Sequence, residues 1–460
     1  MSTKRSQITL AILLTLISLM STFSEQRWKT RTAIEWDVTL YYSYLPMGFF
    51  HQESQAFLWN SEEDHNQLGY YFDTIPLKMT MGMSVVWFPA YITAQMLTKP
   101  LGYKADGISP PYHLAIHFSL FLYLFWGWWA LQRVWDSFGF SLPVKITGAA
   151  LLLLGTNLLY YTSEETALTH SMNFILVALL LDQSIRWWES KNNRCFNAVA
   201  AILGLMILIR PVNGLFTLLP FIVGLRYHPF KAMLRELSPK LIIRAAIIIF
   251  LFFLPQMFFW KLFYGKWFLY SYGDEGFFWT NPQIFNGLFS YRKGWLIYTP
   301  LGIFMLLGLG FFIRRYRRLG VGIALFTALF IYVTFSWWCW WYGGSFGQRV
   351  MIDLYPVLSL GLLSLLSWSF TNLKVAIPAV IIATFFVCYN ALLTFQYRDG
   401  LIHFDGMSKC TYNSHFMQWR APQQHWWHTL YLPDYEAAKR GKEIYPPEEG
   451  WNEYCWGEND

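Results

Sequence analysis

Apolar runs recur along most of this chain, each close to the ~20 residues that an α-helix needs to cross a hydrocarbon core. No other feature constrains the fold as much, because backbone amides in lipid must be satisfied internally. Composition agrees: of 460 residues, 55% are hydrophobic, 20% aromatic and 14% charged. Soluble domains carry about 25% charged residues, so this chain has too little charge to wet a globular surface. That excludes an ordinary cytosolic enzyme, a disordered regulator and a secreted disulfide-framework protein. The fold class is read as all-α, a polytopic membrane protein. The formal charge of +7 would suggest nucleic acid in a soluble protein. Here the basic residues fall in short loops between apolar runs, where positive-inside bias accounts for them without nucleic acid.

The first run, ITLAILLTLISLMSTF, comes after Lys4 and Arg5 and lacks a small-residue cleavage site, so it reads as a retained helix with a cytoplasmic N-terminus. Further spans are expected near 112–134, 143–162, 170–188, 197–210, 212–226, 242–262, 295–313, 321–337, 353–370 and 375–396. Alternating sides then puts 186–194, 226–240, 314–318 and Lys374, all basic segments, on the cytoplasmic face. Several loops agreeing on one orientation supports a count of about eleven spans. The membrane domain is read as 1–396, with a long outer loop at 24–111, and the exported polar tail as 397–460. Segment 79–97 contains Pro89 and reads as a juxtamembrane helix on or in the outer leaflet. The tail holds most of the late acidic residues, Asp434, Glu443, Glu448, Glu449, Glu458 and Asp460 among them.

Ionisable residues beside apolar spans are costly and mark function. On the outer side, AIEWDVTLYYSYLPMGFF places Asp37, Tyr41 and Tyr44 on one helical face at i, i+4, i+7. A carboxylate there suits a general base for an acceptor hydroxyl. Glu35 and Asp37 equally suit a helix N-terminus. Asp73 and Lys78 precede the juxtamembrane helix, where lysines also snorkel to headgroups. TSEETALTHSMNF brings Glu164, Glu165 and His170 to an outer helix end. One histidine makes no metal site, so no cofactor is assigned and a divalent ion has no ligand set to point to.

Four outer cations oppose the positive-inside rule: Arg210 in ILIRPVNG, Arg292 and Lys293 in FSYRKGWLIYTP, and Arg349 in WWCWWYGGSFGQRV. Arginine matches phosphate bidentately and lysine binds it as a point charge. A membrane-surface phosphate esterified to an isoprenoid suits such cations in apolar surroundings. Trp341 and Tyr342 offer flat rings for a sugar, in what also reads as an interfacial aromatic belt. In the tail, Asp405 and Lys409 read as one helical face. The five cysteines show no metal spacing; Cys410 and Cys455 fall in the tail, where an oxidising compartment permits either a disulfide or two thiols.

The order of these features resembles the GT-C superfamily of integral membrane glycosyltransferases, with lipid A aminoarabinose transferases and protein O-mannosyltransferases the most similar. EWDVTLYYSYLPMGFF is similar to the family's acidic motif, IPLKMTMGMSVVWFPAYI to its lysine-containing stretch, LLYYTSEETALTHSMNFILVALLL to the loop entering its fourth helix, and ILIRPVNGLFTLLP to its hairpin. The resemblance spans about residues 8–226. It implies an inverting transfer of sugar from a polyprenyl-phosphate donor to a lipid, glycan or protein acceptor on the periplasmic face of a bacterial inner membrane. By position, Asp37 takes the catalytic acidic place, Lys78 the motif lysine, and His170 the second-loop acidic place, with Glu165 as the nearby carboxylate. The two prolines that come after the motif lysine in the family are missing here. Arg349, then Arg292, Lys293 and Arg210, are the donor-phosphate candidates, and Tyr41, Tyr44, Trp341 and Tyr342 the sugar contacts. A transferase of this design needs its early carboxylate and late guanidinium groups to share one outer cavity. The competing readings are a lipid-linked-sugar flippase, which would want midplane charges and paired broken helices, and a non-catalytic scaffold using the tail for assembly.

Overall fold

The computed structural model describes residues 2–50, 77–420, 429–442 and 445. Their architecture is all-helical, and the β structure among them is an isolated antiparallel bridge between Phe277 and Trp337. Among the described residues, five helices are long and apolar enough to cross a membrane: Pro110–Ser137, Pro239–Tyr264, Arg317–Phe335, Arg349–Ser369 and Leu373–Arg398. Leu142–Leu154, Asn193–Ile209 and Pro211–Gly224 are apolar but shorter. Ser2–Ser21 and Thr169–Ser190 are helical where spans were expected.

Local chemistry explains where an expected single span becomes two pieces. The segment at 143–162 runs as Leu142–Leu154 and Leu158–Ser163. Between them the Thr156 hydroxyl accepts the Leu158 N–H (3.1 Å), and the Asn157 side chain meets the Phe346 carbonyl (3.2 Å) and the Tyr355 hydroxyl (2.8 Å). The run at 295–313 breaks at Thr299–Pro300, since proline has no N–H to continue a helix. The proline after Arg210 does end a helix, and the chain continues as a 3-10 turn, Pro211–Leu218, and then the short helix Leu219–Gly224.

The chain divides into two compact units, residues 1–134 with 161–273, and 135–160 with 274–460. In the first, Asn193–Ile209 is the hub, packed on Thr169–Ser190, Pro239–Tyr264 and Gly82–Thr98. A Cβ on Gly82 would lie 2.3 Å from the Ile209 backbone nitrogen, so only glycine allows this approach. The short helices Asp37–Tyr42 and Tyr44–Phe50 lie on Gly82–Thr98. Pro239–Tyr264 turns Ile243, Ile247, Phe250, Leu251 and Phe258 outward, the inverse of a water-soluble pattern and the one lipid demands.

In the second unit, Tyr355–Ser369 is the buried centre, packed on Leu301–Arg315, Leu142–Leu154 and Leu373–Arg398. The closest crossing is glycine on glycine: a Cβ on Gly308 would lie 2.1 Å from the Gly361 carbonyl oxygen, and one on Gly361 2.4 Å from the Met305 carbonyl. Helices that share an apolar solvent associate through such small-residue contacts. Interhelical polar bonds add to it, Trp135 Nε1 donating to Ser359 Oγ (2.8 Å) and Asn390 Nδ2 to the Thr156 carbonyl (2.7 Å). The described part of the tail belongs to this unit and contains the helices Lys409–His415 and Tyr435–Lys439. Asp405 and Lys409 do not share a helical face: Ser408 caps the helix by accepting the Thr411 N–H, which leaves Asp405 in the irregular stretch before it. Asp434 is itself a helix cap, accepting from Ala437 N (2.9 Å). Cys410 is disulfide-bonded, and Cys195, Cys339 and Cys388 are free thiols. Asp73, Cys455, Glu443, Glu448, Glu449, Glu458 and Asp460 lie outside the described residues.

Candidate functional site

The sequence-derived residues fall into two groups, one in each unit. In the first unit, Asp37 opens the helix Asp37–Tyr42 and is half-buried, while Glu35 is exposed. Trp36 is the cap, held at φ +52° and 88% exposed. Behind Asp37, Val38, Tyr41 and Tyr42 are buried, and the Tyr42 hydroxyl donates to the Gly107 carbonyl (2.6 Å). Tyr44 donates to the Met79 carbonyl (2.6 Å), accepts from Gln256 Nε2 (3.3 Å) and packs its ring on Phe259 at 4.6 Å. Burial pushes the Tyr44 hydroxyl well above its ordinary range, so it stays a neutral phenol. The rings expected to meet a sugar, Tyr41 and Tyr44, are thus buried in the packing of this unit. Lys78 stands with its ammonium 5.8 Å from the Tyr272 ring, and its carbonyl accepts from Ser271 Oγ (2.7 Å).

The segment 163–170, expected as a second outer loop, is also built into this unit. Glu165 pairs with Arg27 (2.5 Å), and Glu164 is buried and accepts from Ser24 Oγ (3.0 Å). His170 is buried in the first turn of Thr169–Ser190. Arg210, half-buried and extended at φ −149°, ends Asn193–Ile209 with its N–H on the Met206 carbonyl (3.1 Å). Sequence reading missed His117, whose Nε2 meets Thr22 Oγ1 (2.5 Å) and Nδ1 meets Thr166 Oγ1 (3.1 Å). No group of three or more His, Cys, Asp or Glu able to hold a metal ion occurs among the described residues.

Three of the four sequence-derived cations, Arg292, Lys293 and Arg349, come together in the second unit, while Arg210 belongs to the first. The helix Ile284–Phe289 stops at Ser290, and the turn to Gly294 presents Arg292 and Lys293 inward. Gly294 is required there, since a Cβ would stand 2.4 Å from the Ser290 carbonyl oxygen. Arg292 is 0% exposed and is enclosed by rings: Tyr445 at 4.4 Å, Trp341 at 5.0 Å, Tyr431 at 5.4 Å and Trp340 at 5.7 Å from its guanidinium carbon. Its Nη2 donates to the Tyr431 carbonyl (3.2 Å), and its backbone N–H donates to the Tyr445 hydroxyl (2.9 Å). Trp341, expected as a sugar contact, is fully buried against Arg292 and Tyr435. Tyr342 holds a left-handed backbone at φ +60° while its hydroxyl donates to the Thr334 carbonyl (3.0 Å).

Lys293 is 1% exposed and donates its ammonium to the carbonyls of Ser345 and Phe404. Burial lowers its pKa from 10.5 to about 7; Asp405 opposes the shift, and Arg349 and Arg292 add to it. Arg349, half-buried, opens the 3-10 turn Arg349–Leu354. Asp405 itself is 6% exposed. Its Oδ2 accepts from the Tyr435 hydroxyl (2.7 Å), and burial with the neighbouring carboxylate drives that phenol upward. His403 Nδ1 accepts the backbone N–H groups of Asp405 (3.1 Å) and Gly406 (2.9 Å), which puts the neutral ring's proton on Nε2.

The Lys293 shift carries a sign. The folded value lies below the unfolded one, so between pH 7 and 10.5 the unfolded chain binds more protons. This group's contribution to stability therefore rises with pH through that window and is lost as pH falls toward 7. A Lys293→Met protein is expected to show a flatter rise of its unfolding midpoint between about pH 7 and 9 than the wild type. Identical slopes in detergent would show that Lys293 does not titrate there.

In comparisons with known proteins, no family model, curated protein or solved structure matches the chain.

Proposed function

We propose that the protein is an integral-membrane glycosyltransferase of the GT-C type. It moves a sugar from a polyprenyl-phosphate donor to an acceptor hydroxyl of a lipid, glycan or protein on the periplasmic face of a bacterial inner membrane. Its topology in this reading has about eleven spans, a cytoplasmic N-terminus and an exported tail. The observation that carries the reading is the second unit's cation set, with Arg292 and Lys293 fully desolvated in one turn and Arg349 coupled electrostatically to Lys293. Burying adjacent cations costs several kcal/mol per ion unless charge of opposite sign is supplied. One carboxylate, Asp405, acts on Lys293 against two guanidinium groups. The donor's phosphodiester arrives with one negative charge and leaves as a phosphomonoester with two, which would complete the balance.

In the reaction, the acceptor O–H loses its proton to Asp37 as its oxygen attacks the anomeric carbon. The bond from that carbon to the phosphate oxygen breaks, and the phosphate departs with the electron pair and with inversion. Arg349 and Lys293 gain contact with the leaving group as its negative charge grows, which is where electrostatic stabilisation lowers a barrier.

The test is direct. Protein in nanodiscs containing an undecaprenyl-phosphate hexose is expected to release free undecaprenyl phosphate and to glycosylate an added acceptor, both read by mass spectrometry. The flippase alternative draws on the ion pair of half-buried Arg133 with buried Asp182, in the helices Pro110–Ser137 and Thr169–Ser190. Intact donor that moves between leaflets of sealed vesicles, with no phosphate released, would favour that alternative and overturn the transferase reading.

A further inference from the structure

The second unit holds unused acceptors beside its cations. Asp405 is more than nine-tenths buried, and while Oδ2 takes the Tyr435 hydroxyl, Oδ1 is buried with no hydrogen-bond partner among the described residues. Gln348, directly before Arg349, is fully buried; its Nε2 donates to the Trp340 carbonyl (3.1 Å) and its Oε1 has no partner among the described residues. A buried acceptor without a donor forfeits its hydration and destabilises the fold unless a ligand fills it.

The surroundings define the chemistry of such a ligand. Lys293 donates to the carbonyl of Phe404, the residue next to Asp405. The loop opposite is glycine-built: Gly343 has φ +65° and runs beside Tyr435, whose hydroxyl would lie 3.8 Å from a Cβ placed there, and a Cβ on Gly344 would lie 3.1 Å from the Phe404 ring. Glycine there lets the loop backbone pack closely on the stretch that carries the buried carboxylate. Cations with unspent acceptors beside them complement a molecule that is anionic at one end and bears hydroxyls at the other. A sugar phosphate has that character, and so does a phosphatidylglycerol headgroup, which has no sugar to transfer and so releases no polyprenyl phosphate in the assay below.

We propose that Asp405 Oδ1 accepts a hydrogen bond from a hydroxyl of the transferred sugar, beside the cations that hold its phosphate, and so sets donor specificity. The inference rests on the transferase reading above and assigns Asp405 to binding, with the proton transfer left to Asp37. Because Tyr435 holds the oxygen on its own side, an Asp405→Asn change turns its amide NH2 toward the sugar and replaces an acceptor with a donor. Asp405→Leu removes both.

The experiment measures release of undecaprenyl phosphate from undecaprenyl-phosphate hexose in nanodiscs, with the thermal midpoint recorded for each variant. Both variants are expected to raise the donor KM about 10- to 100-fold and to change kcat by no more than about threefold; Asp405→Asn, whose amide oxygen still accepts from Tyr435, is expected to lower the midpoint less than Asp405→Leu, which leaves that hydroxyl and Lys293 without the carboxylate. An unchanged KM overturns the proposal. So does unfolding of both variants, which would make Asp405 a structural residue. A wild-type protein that releases no phosphate overturns the transferase reading and this proposal with it, whereas active wild type with active, unaltered variants overturns this proposal alone.

Discussion

An Asp37→Asn protein is expected to fold normally and to lose roughly a thousandfold in transfer rate, within the 10²–10⁴ that a positioned base contributes. The scaffold around Asp37 makes this a clean test. Its helix is fixed from behind by Val38, Tyr41 and Tyr42, and by Ser84 Oγ donating to the Tyr41 carbonyl, none of which the change touches. Asparagine keeps the shape. The carboxylate it gives up lies in a first helical turn, where the helix-dipole contribution is about 0.3–1 kcal/mol at a partly exposed position. Unfolding midpoints measured alongside activity should therefore shift little. Glu35, exposed and two residues earlier, provides the internal control, and Glu35→Gln is expected to cost less than about threefold. Transfer by Asp37→Asn within tenfold of wild type would remove the base role and move the search for a proton acceptor elsewhere.

The helical class and the inward basic pair were legible because both signals are local. A ~20-residue apolar run needs no tertiary knowledge to be read as a membrane helix. Arg292 and Lys293 stood out because two cations directly before an apolar run oppose the expected charge bias. Proline at 211 announced the end of a helix for the same reason, a missing donor. The hidden features depend on partners distant in the chain. The interruption at 155–157 is polar and short, and it is set by Asn157 finding Phe346 and Tyr355. Asp405 was read at i, i+4 with Lys409, a spacing that means something only inside a helix. The Ser408 cap cancels that spacing, and the real partner, Tyr435, lies 30 residues on. The tyrosines and tryptophans were legible as abundant rings, but composition cannot say which face is covered. Tyr44 and Trp341 are spent on packing, whereas Trp36 is almost wholly exposed beside Asp37.

Arg292→Ala is expected to destabilise the protein by about 3–5 kcal/mol, the cost of leaving a cavity where a large, fully buried side chain packs among four rings. The fully buried guanidinium joins pieces that are remote in sequence: Trp340 and Trp341 from one loop, and Tyr431 and Tyr445 from the tail. Without it the Tyr431 carbonyl loses a donor, and Tyr445, which also donates to Met407 O (3.2 Å), loses its cationic neighbour. The tail should then become the first part of the chain to yield tryptic peptides, before any change at Asp37's helix. Arg292→Lys is expected to recover only part of the loss, because an ammonium keeps the charge but lacks the planar face that stacks against rings. The same geometry separates the roles of the three cations. In the proposed transferase, rings over its guanidinium would leave Arg292 to act on a bound phosphate as a buried charge at a distance, and the direct contact would fall to Arg349 and Lys293. Arg292→Lys should accordingly change stability more than donor affinity, and Arg349→Ala the reverse, a contrast that thermal unfolding and lipid-phosphate binding measured on the same nanodisc samples would expose.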